Sequence, residues 1–194
     1  MNTFTETEKT FWQSYKLDLV QGIDQCINSG YLLAAAKLIF SSIDAMGLFY
    51  KGAYVIIVKN KEQYFVLPGG NRMPKSTKEE NTGSKDCFLK YIENCWPDIT
   101  DEKFRKMLYR TYRCGLLHEG RPKGSYIIGD NAFKVFQNRE LSVKLLYHAF
   151  VLSIQKYDQL LEKEDYRMKR WHARYSYLHK NAELNEKINE DHAI

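Results

Sequence analysis

Cysteine is scarce in this sequence, and its spacing argues against the two kinds of domain that depend on it. Cys26, Cys87, Cys95 and Cys114 form no C-x-x-C pair, which speaks against a zinc ribbon and against a disulfide framework. We therefore interpret all four as free thiols in a reducing cytoplasm. An H-E-x-x-H motif, a carboxylate cluster and a Cys/His metal spacing are also missing, so the sequence predicts neither a metal nor another cofactor.

Long apolar runs are missing as well. None approaches the ~18–20 residues that a membrane span requires, and segment 1–13 is polar and acidic before it is apolar, unlike a secretory signal. The chain is 44% hydrophobic and 27% charged, which is typical of a soluble folded protein. We expect residues 1–194 to form a single cytoplasmic domain without a membrane partner. The net charge of +5 favours polyanions such as RNA or DNA only mildly.

Residues 7–52 predict a helical hairpin. The first helix has one apolar stripe at steps of four, formed by Phe11, Tyr15, Leu19, Ile23 and Ile27. Thr5 or Thr7 suits its N-terminus, and Ser29-Gly30 suits its C-terminus. Residues 31–50 are apolar nearly all round, which predicts a second helix in the middle of a bundle.

Two β insertions interrupt the helical pattern. Residues 53–68 are rich in β-branched and aromatic side chains, and we predict a β-hairpin centred on Asn60-Lys61. A mobile loop is expected to complete the insertion over 53–83. Residues 123–139 predict a second β-ribbon, with its turn at Asp130-Asn131.

The remaining segments are helical in pattern. Residues 84–122 predict the helices that carry the candidate motif, with Thr100 or Asp101 as an N-cap. Residues 140–180 predict long C-terminal helices, in which the basic-aromatic run 166–180 can continue the helix before it. The predicted fold class is mainly α: a bundle of about five helices with two short β-hairpin insertions.

The candidate functional motif is "LYRTYRCGLLHEG", residues 108–120, in which Arg113 precedes His118 by five positions. The same spacing recurs at Arg167/His172 and Arg174/His179. Those two pairs lie in one uninterrupted charged run, where each residue can simply be solvated. The first pair instead ends an amphipathic helix and is closed by a glycine, which singles it out.

This motif resembles that of the HEPN domain, a family of small α-helical bundles. In that family an R-x4–6-H motif near the end of a late helix forms the site of metal-independent ribonucleases. The order of two long helices, a motif helix and a long C-terminal helix is similar over roughly residues 7–160. The resemblance implies a homodimer with a shared cleft and RNA or a nucleotide as ligand. It also implies a toxin-type or phage-defence role, with a possible antitoxin partner.

The two residue types fit RNA cleavage. Histidine exchanges protons near neutral pH, so His118 is the candidate general acid/base, and Arg113 is the candidate phosphate ligand. Five residues of an ideal helix leave two side chains ~140° apart. We therefore expect either unwinding at Gly115 or two copies that meet across a twofold axis. The alternative is a helix-end histidine on the core side with Phe104 and Met107, and a solvated Arg113.

Other residues are candidates for supporting roles. Asp44 is a carboxylate in an apolar helix and needs a partner if it is buried; Arg113 is one candidate, and a solvent-facing position near Ser41 is the alternative. Ser42 and Tyr112 are candidate substrate contacts in the same cleft, next to Cys114.

The basic-aromatic run near the C-terminus is a candidate nucleic-acid surface. It includes Arg167, Lys169, Arg170, Trp171 and Arg174, a mixture that can hold phosphates and stack bases. A solvated helix that covers a dimer is the alternative interpretation.

Three hypotheses follow. The first is a dimeric HEPN-like ribonuclease that needs no metal. The second is a non-catalytic HEPN-like module that binds nucleotide, RNA or a protein; Cys114 favours it, because many active members have a polar residue, often Asn, directly after the Arg. The third is a helical scaffold whose basic C-terminal helix binds nucleic acid or a partner protein.

Overall fold

Six α-helices make up most of the described chain, and the predicted mainly-α fold class is confirmed. The computed structural model describes residues 3–52, 54–57, 63–66, 72–74, 84–96, 99–131 and 134–191, with the backbone alone for 54–57, 63–66, 72–74, 84 and 180–191. The helices are α1 (Glu6–Asn28), α2 (Leu32–Lys51), α3 (Ser84–Cys95), α4 (Glu102–Met107), α5 (Val143–Lys163) and α6 (Asp165–Asp191).

The ends of α1 follow from local hydrogen bonding. Thr5 Oγ1 accepts from the backbone N–H of Glu8, and Glu8 Oε2 accepts from the backbone N–H of Thr5 at 2.8 Å. This reciprocal capping box satisfies two donors at the start of the helix. Gly30, at φ +78°, follows the last turn, where its left-handed conformation ends the helix.

Helix α2 is the centre of the bundle, as its uniform apolarity predicts. It packs against α1, α3, α5 and α6. At Gly47 an added Cβ would lie 2.6 Å from the carbonyl oxygen of Cys87, so α2 and α3 approach closely there. By length and composition α2 could cross a membrane, contrary to our expectation from apolar runs. Half of that stretch is packed inside the bundle, which is what a central helix requires.

The first insertion is a three-stranded antiparallel sheet. Strand β1 (Tyr54–Ile57) pairs with β2 (Gln63–Val66), and β2 pairs with β3 (Arg72–Pro74). The predicted hairpin is therefore confirmed. Its turn at Asn60-Lys61 lies outside the described residues. The prediction of a mobile loop was wrong at 72–74, because these residues extend the sheet, and most of the remaining loop lies outside the described residues.

The second insertion differs from the predicted ribbon. Strand β4 (Ile127–Gly129) runs parallel to β6 (Glu140–Ser142), and β5 (Phe136–Gln137) pairs antiparallel with β6. The turn predicted at Asp130-Asn131 was wrong, because the tight turn is formed by Asn138 and Arg139, both with positive φ.

The position of this turn, at Asn138 and Arg139, also changes where the C-terminal helices begin. Residues 140–142 belong to the sheet, so α5 begins at Val143 with Ser142 as its N-cap. Glu164 then leaves the helical conformation, at φ −116° and ψ +100°. The segment predicted as 140–180 is thus a strand followed by two separate helices.

Candidate functional site

The candidate motif lies in a widened helix. Two consecutive π-helical segments, Leu108–Arg113 and Gly115–Glu119, continue α4. The backbone N–H of Cys114 bonds to the carbonyl oxygen of Tyr109, five residues earlier. In such a helix residues five apart lie on nearly the same side, whereas an ordinary helix would separate them by ~140°.

The widening brings Arg113 and His118 together within one chain. Nη1 of Arg113 lies 3.4 Å from Nε2 of His118. The expected unwinding is present as π-helical turns, the second of which begins at Gly115. A second copy is not needed to bring the two side chains together, and the homodimer stays a prediction. The alternative of a core-side histidine was wrong: His118 is exposed, and the Arg113 side chain is only 13% exposed.

Gly115 allows a loop to cross the π-helix. A Cβ at this position would lie 2.5 Å from the carbonyl oxygen of Arg121 and 2.8 Å from the backbone nitrogen of Lys123. The same loop is fixed by a hydrogen bond from the Lys123 N–H to the Thr111 carbonyl. Gly120, at φ +76°, ends the helix. Gly115 therefore permits the close approach of the loop, and Gly120 permits the left-handed turn at the end of the motif.

Arg113 is held in place from three directions. Its Nε donates to Oδ2 of Asp44 at 2.8 Å, so the ion pair expected from the isolated carboxylate of α2 is present. Its guanidinium lies over the Tyr109 ring, 5.2 Å from the centroid. On a third side its Nη1 lies 3.4 Å from Nε2 of His118. A guanidinium has more N–H groups than these contacts use, so donors remain for a phosphate.

Burial and the ion pair act in opposite directions on the pKa values of Asp44 and Arg113. Burial raises the pKa of the Asp44 carboxyl, although Arg113 and His118 act against this rise. Burial lowers the pKa of Arg113, but Asp44 outweighs it and raises that pKa overall. Because a guanidinium stays charged, Asp44 is the member of the pair that titrates. Oδ1 of Asp44 is buried and accepts no hydrogen bond within the described part of the chain.

Lys37, which the sequence did not suggest as a candidate, lies near the end of the motif. Its Nζ lies 3.9 Å from the position that a Cβ on Gly120 would occupy. Lys37 is two helical turns from Asp44 on α2, so both lie on one face of that helix. Within the residues described, Lys37 makes no ion pair. We call the surface formed by Lys37, Asp44, Arg113 and His118 the α2 seam.

Ser42 and Tyr112 do not belong to the seam. Ser42 is 5% exposed, and two residues of separation place it on a different face from Asp44. Tyr112 is fully buried; its ring stacks on Phe40, and its hydroxyl donates to the carbonyl oxygen of Arg139 at 3.2 Å. The prediction that Ser42 and Tyr112 contact a substrate was wrong, because both side chains are buried in the packed interior.

The predicted nucleic-acid surface on α6 is not formed as expected. Trp171 is fully buried, and Arg167 is 7% exposed. Arg167 lies 3.6 Å from the centroid of the Tyr50 ring and pairs with Glu164 at 3.1 Å. The two residues are four positions apart and share the core-facing side of α6, so neither is available to a nucleic acid.

The other basic residues of that run are engaged locally. Exposed Lys169 pairs with Asp165, and Arg170 lies over the ring of Tyr166. Burial lowers the pKa of Arg174, whose guanidinium lies over the Tyr177 ring. The run therefore supplies scattered charges, not a continuous basic stripe.

The second Arg-His pair of the sequence shows why the helix type matters. Arg167 contacts Tyr50 and Glu164. His172 instead contacts Glu8, with 2.8 Å between Nδ1 of the histidine and Oε1 of the glutamate. Both residues lie in the ordinary α-helix α6, where five positions of separation direct them to different neighbours.

Metal ligands do not cluster in the described residues: no three of His, Cys, Asp and Glu come together there. All four cysteines are free thiols. No protein-family model, curated protein or solved structure matches the chain. A functional assignment therefore depends on the chemistry of the α2 seam.

Proposed function

We propose that this chain is a HEPN-like endoribonuclease that cleaves RNA at the α2 seam without a metal ion. His118 serves as the general acid/base, and Arg113 holds the phosphate. The main support is one relationship: a guanidinium fixed by Asp44 lies 3.4 Å from the imidazole of an exposed histidine. In this role the protein acts in the cytoplasm as a toxin-type or phage-defence component, with an antitoxin as a possible partner.

The reaction needs only the RNA and these two side chains. His118 accepts the proton of a ribose 2′-OH, whose oxygen then attacks the adjacent phosphorus. Arg113 donates hydrogen bonds to the phosphate oxygens, on which negative charge accumulates. The 5′-oxygen leaves and takes up the proton from the imidazolium of His118, which gives a 2′,3′-cyclic phosphate, a free 5′-hydroxyl and the unprotonated histidine.

Asp44 acts as a positioning residue in this proposal. Its Oδ2 fixes the orientation of the guanidinium through Nε, which leaves other N–H groups for the phosphate. Its buried Oδ1 still needs a donor, because an unsatisfied buried acceptor costs about 1–3 kcal/mol.

The proposal includes a homodimer in which two seams face each other. Helix α2 exposes Leu33 and Leu38, 44% and 41% exposed, on either side of Lys37, and apolar side chains beside a charged seam suit an interface between copies. We expect Leu38→Glu to convert the dimer to a monomer in light scattering after gel filtration. Leu152→Glu, at a similarly exposed leucine of α5, is the matched control. A wild-type monomer at all concentrations would refute the dimer.

The nuclease is tested by RNA cleavage with purified protein in EDTA. Arg113→Ala and His118→Ala should each abolish cleavage. Arg110→Ala and His148→Ala are matched controls, because Arg110 is exposed in the same π-helical segment and His148 is exposed on α5. Circular dichroism checks that all variants fold.

Each outcome discriminates between hypotheses. Cleavage by the wild type and both controls, but by neither seam variant, supports a nuclease at this site. RNA binding that depends on Arg113 without any cleavage supports the non-catalytic module instead. Equal behaviour of all five proteins refutes the assignment of function to the seam.

A further inference from the structure

A second candidate ligand site lies between α4 and the second sheet. There, an open cavity of about 960 Å³ is lined by side chains of α4, β5 and the loop before β4. Three aromatic residues form its floor. The ring centroids of Phe104 and Phe136 are 5.6 Å apart, and those of Tyr126 and Phe136 are 5.9 Å apart. All three side chains are partly exposed and line the cavity.

Two lysines lie at the rim of this aromatic cavity. Lys103 and Lys134 are both exposed and both line it. In the described ranges neither makes an ion pair. The nearest acid of the lining, Asp101, is already engaged, because its Oδ1 accepts from the backbone N–H of Lys103 at 2.9 Å. The ammonium groups of Lys103 and Lys134 are therefore available to bind an anion.

The walls of the aromatic cavity are fixed before any ligand binds. Arg105 is 9% exposed and donates from Nη1 to the carbonyl oxygens of Ile99 and Thr100, at 3.0 and 2.7 Å. On the other side, buried Tyr112 packs edge-on against Tyr126, with 5.9 Å between centroids. A preformed cavity does not have to order its walls when it binds a ligand.

We propose that the aromatic cavity binds a nucleobase together with its attached phosphate. Aromatic faces stack on bases whatever their sequence, and the rim lysines supply the charge that a phosphate requires. The volume falls within the range of small-ligand pockets. This site does not depend on cleavage at the α2 seam, and it stands even if Arg113 and His118 catalyse nothing.

The same chemistry is presented by a free nucleotide and by one unit of a single-stranded RNA, so the experiment includes both. Equilibrium dialysis of the full chain measures binding of a nucleoside monophosphate and of a short 2′-O-methyl oligoribonucleotide. The methylated ribose cannot be cleaved by 2′-OH attack, so any nuclease activity does not disturb the measurement.

Three variants test the aromatic cavity. Phe136→Leu keeps an apolar side chain but removes the stacking face and should weaken binding by about tenfold. Tyr126→Leu is a second test of stacking, so the experiment remains informative even if Phe136→Leu does not fold. The double variant Lys103→Gln/Lys134→Gln should weaken binding and reduce its dependence on salt. Lys90→Gln, at an exposed lysine of α3 paired with Glu93, is the matched control and should bind like the wild type.

The outcomes are distinct from those of the nuclease assay. Weakened binding of the monophosphate supports the proposal with a free nucleotide as ligand. Weakened binding of the oligoribonucleotide alone supports it with RNA as ligand. No binding of either probe, or variants that bind as the control does, overturns it, whatever the result at Arg113 and His118.

Discussion

Nη1 of Arg113 lies 3.4 Å from Nε2 of His118, five residues further along the same helix. This approach is a property of the π-helical backbone, since residues five apart diverge in an ordinary α-helix. π-Helical turns are rare and are frequently found at functional sites. The proposed chemistry of the α2 seam therefore depends on backbone geometry as much as on the two side chains.

Gly115→Ala should disturb that geometry. The new Cβ would lie 2.5 Å from the carbonyl oxygen of Arg121, and backbone atoms cannot yield as a flexible side chain can. We expect a loss of ~1–3 kcal/mol in the free energy of unfolding, measured by urea denaturation. RNA cleavage should fall more than this destabilisation explains, because the crossing loop holds the motif in its π-helical form.

Gly22→Ala is the matched control for Gly115→Ala. Gly22 lies inside α1 with no atom within 4 Å of an added Cβ. Alanine should therefore stabilise the protein by ~0.5–1 kcal/mol, the usual gain at a helical glycine. If Gly115→Ala behaved in the same way, the close approach of the loop would not be required.

The helices could be predicted because each carries its own local signal. The stripe of α1, the cap at Thr5 and the uniform apolarity of α2 are all properties of neighbouring residues. The second sheet has no such signal. Its strands are two or three residues long, and the parallel pairing of β4 with β6 is set by tertiary contacts.

The site was predictable only in part. The Asp44–Arg113 pair follows from the cost of burying a carboxylate without a partner. The π-helical widening has no periodic pattern that marks it, and the approach of Lys37 to Gly120 joins two distant parts of the chain. The prediction that Trp171 belongs to a nucleic-acid surface was wrong, because a count of basic and aromatic residues does not show which face of the helix is buried.

Asp44→Asn should change how stability depends on pH. Burial raises the pKa of Asp44 in the folded state above its usual 3.8, so the folded protein holds this proton more tightly than the unfolded chain does. The stability that Asp44 contributes is thus complete below pH 3.8 and is lost as the pH rises through the folded-state pKa. Asparagine removes this titration.

The comparison requires urea denaturation of both proteins from acid to neutral pH. The free energy of unfolding of the wild type, relative to Asp44→Asn, should decrease across this window and then level off. The difference between the two proteins isolates Asp44, because other carboxylates titrate in both. A difference that increases with pH would mean that Arg113 outweighs burial and lowers the pKa of Asp44.

Lys37→Gln tests whether the α2 seam contacts an RNA backbone. If Lys37 binds a phosphate, its removal should reduce the slope of log K against log salt concentration by about 0.7 for a single strand. Lys169→Gln is the control, because Lys169 is exposed on α6 and paired with Asp165. Fluorescence anisotropy with labelled RNA at several salt concentrations gives both slopes. A smaller slope for Lys169→Gln, with the slope of Lys37→Gln unchanged from the wild type, would indicate that the basic run of α6 contacts the RNA instead.

Trp171→Ala distinguishes a core residue from a base-stacking residue. Trp171 is fully buried, stacked on Phe49 and Tyr175, so truncation should cost ~3–5 kcal/mol of stability. Tyr166→Ala is the control, because Tyr166 is 47% exposed on the same helix and loses little packing. Thermal denaturation should show a large decrease in Tm for the first variant and a small one for the second. A Trp171→Ala protein that kept its Tm but lost RNA binding would show that the indole faces a ligand instead of the core.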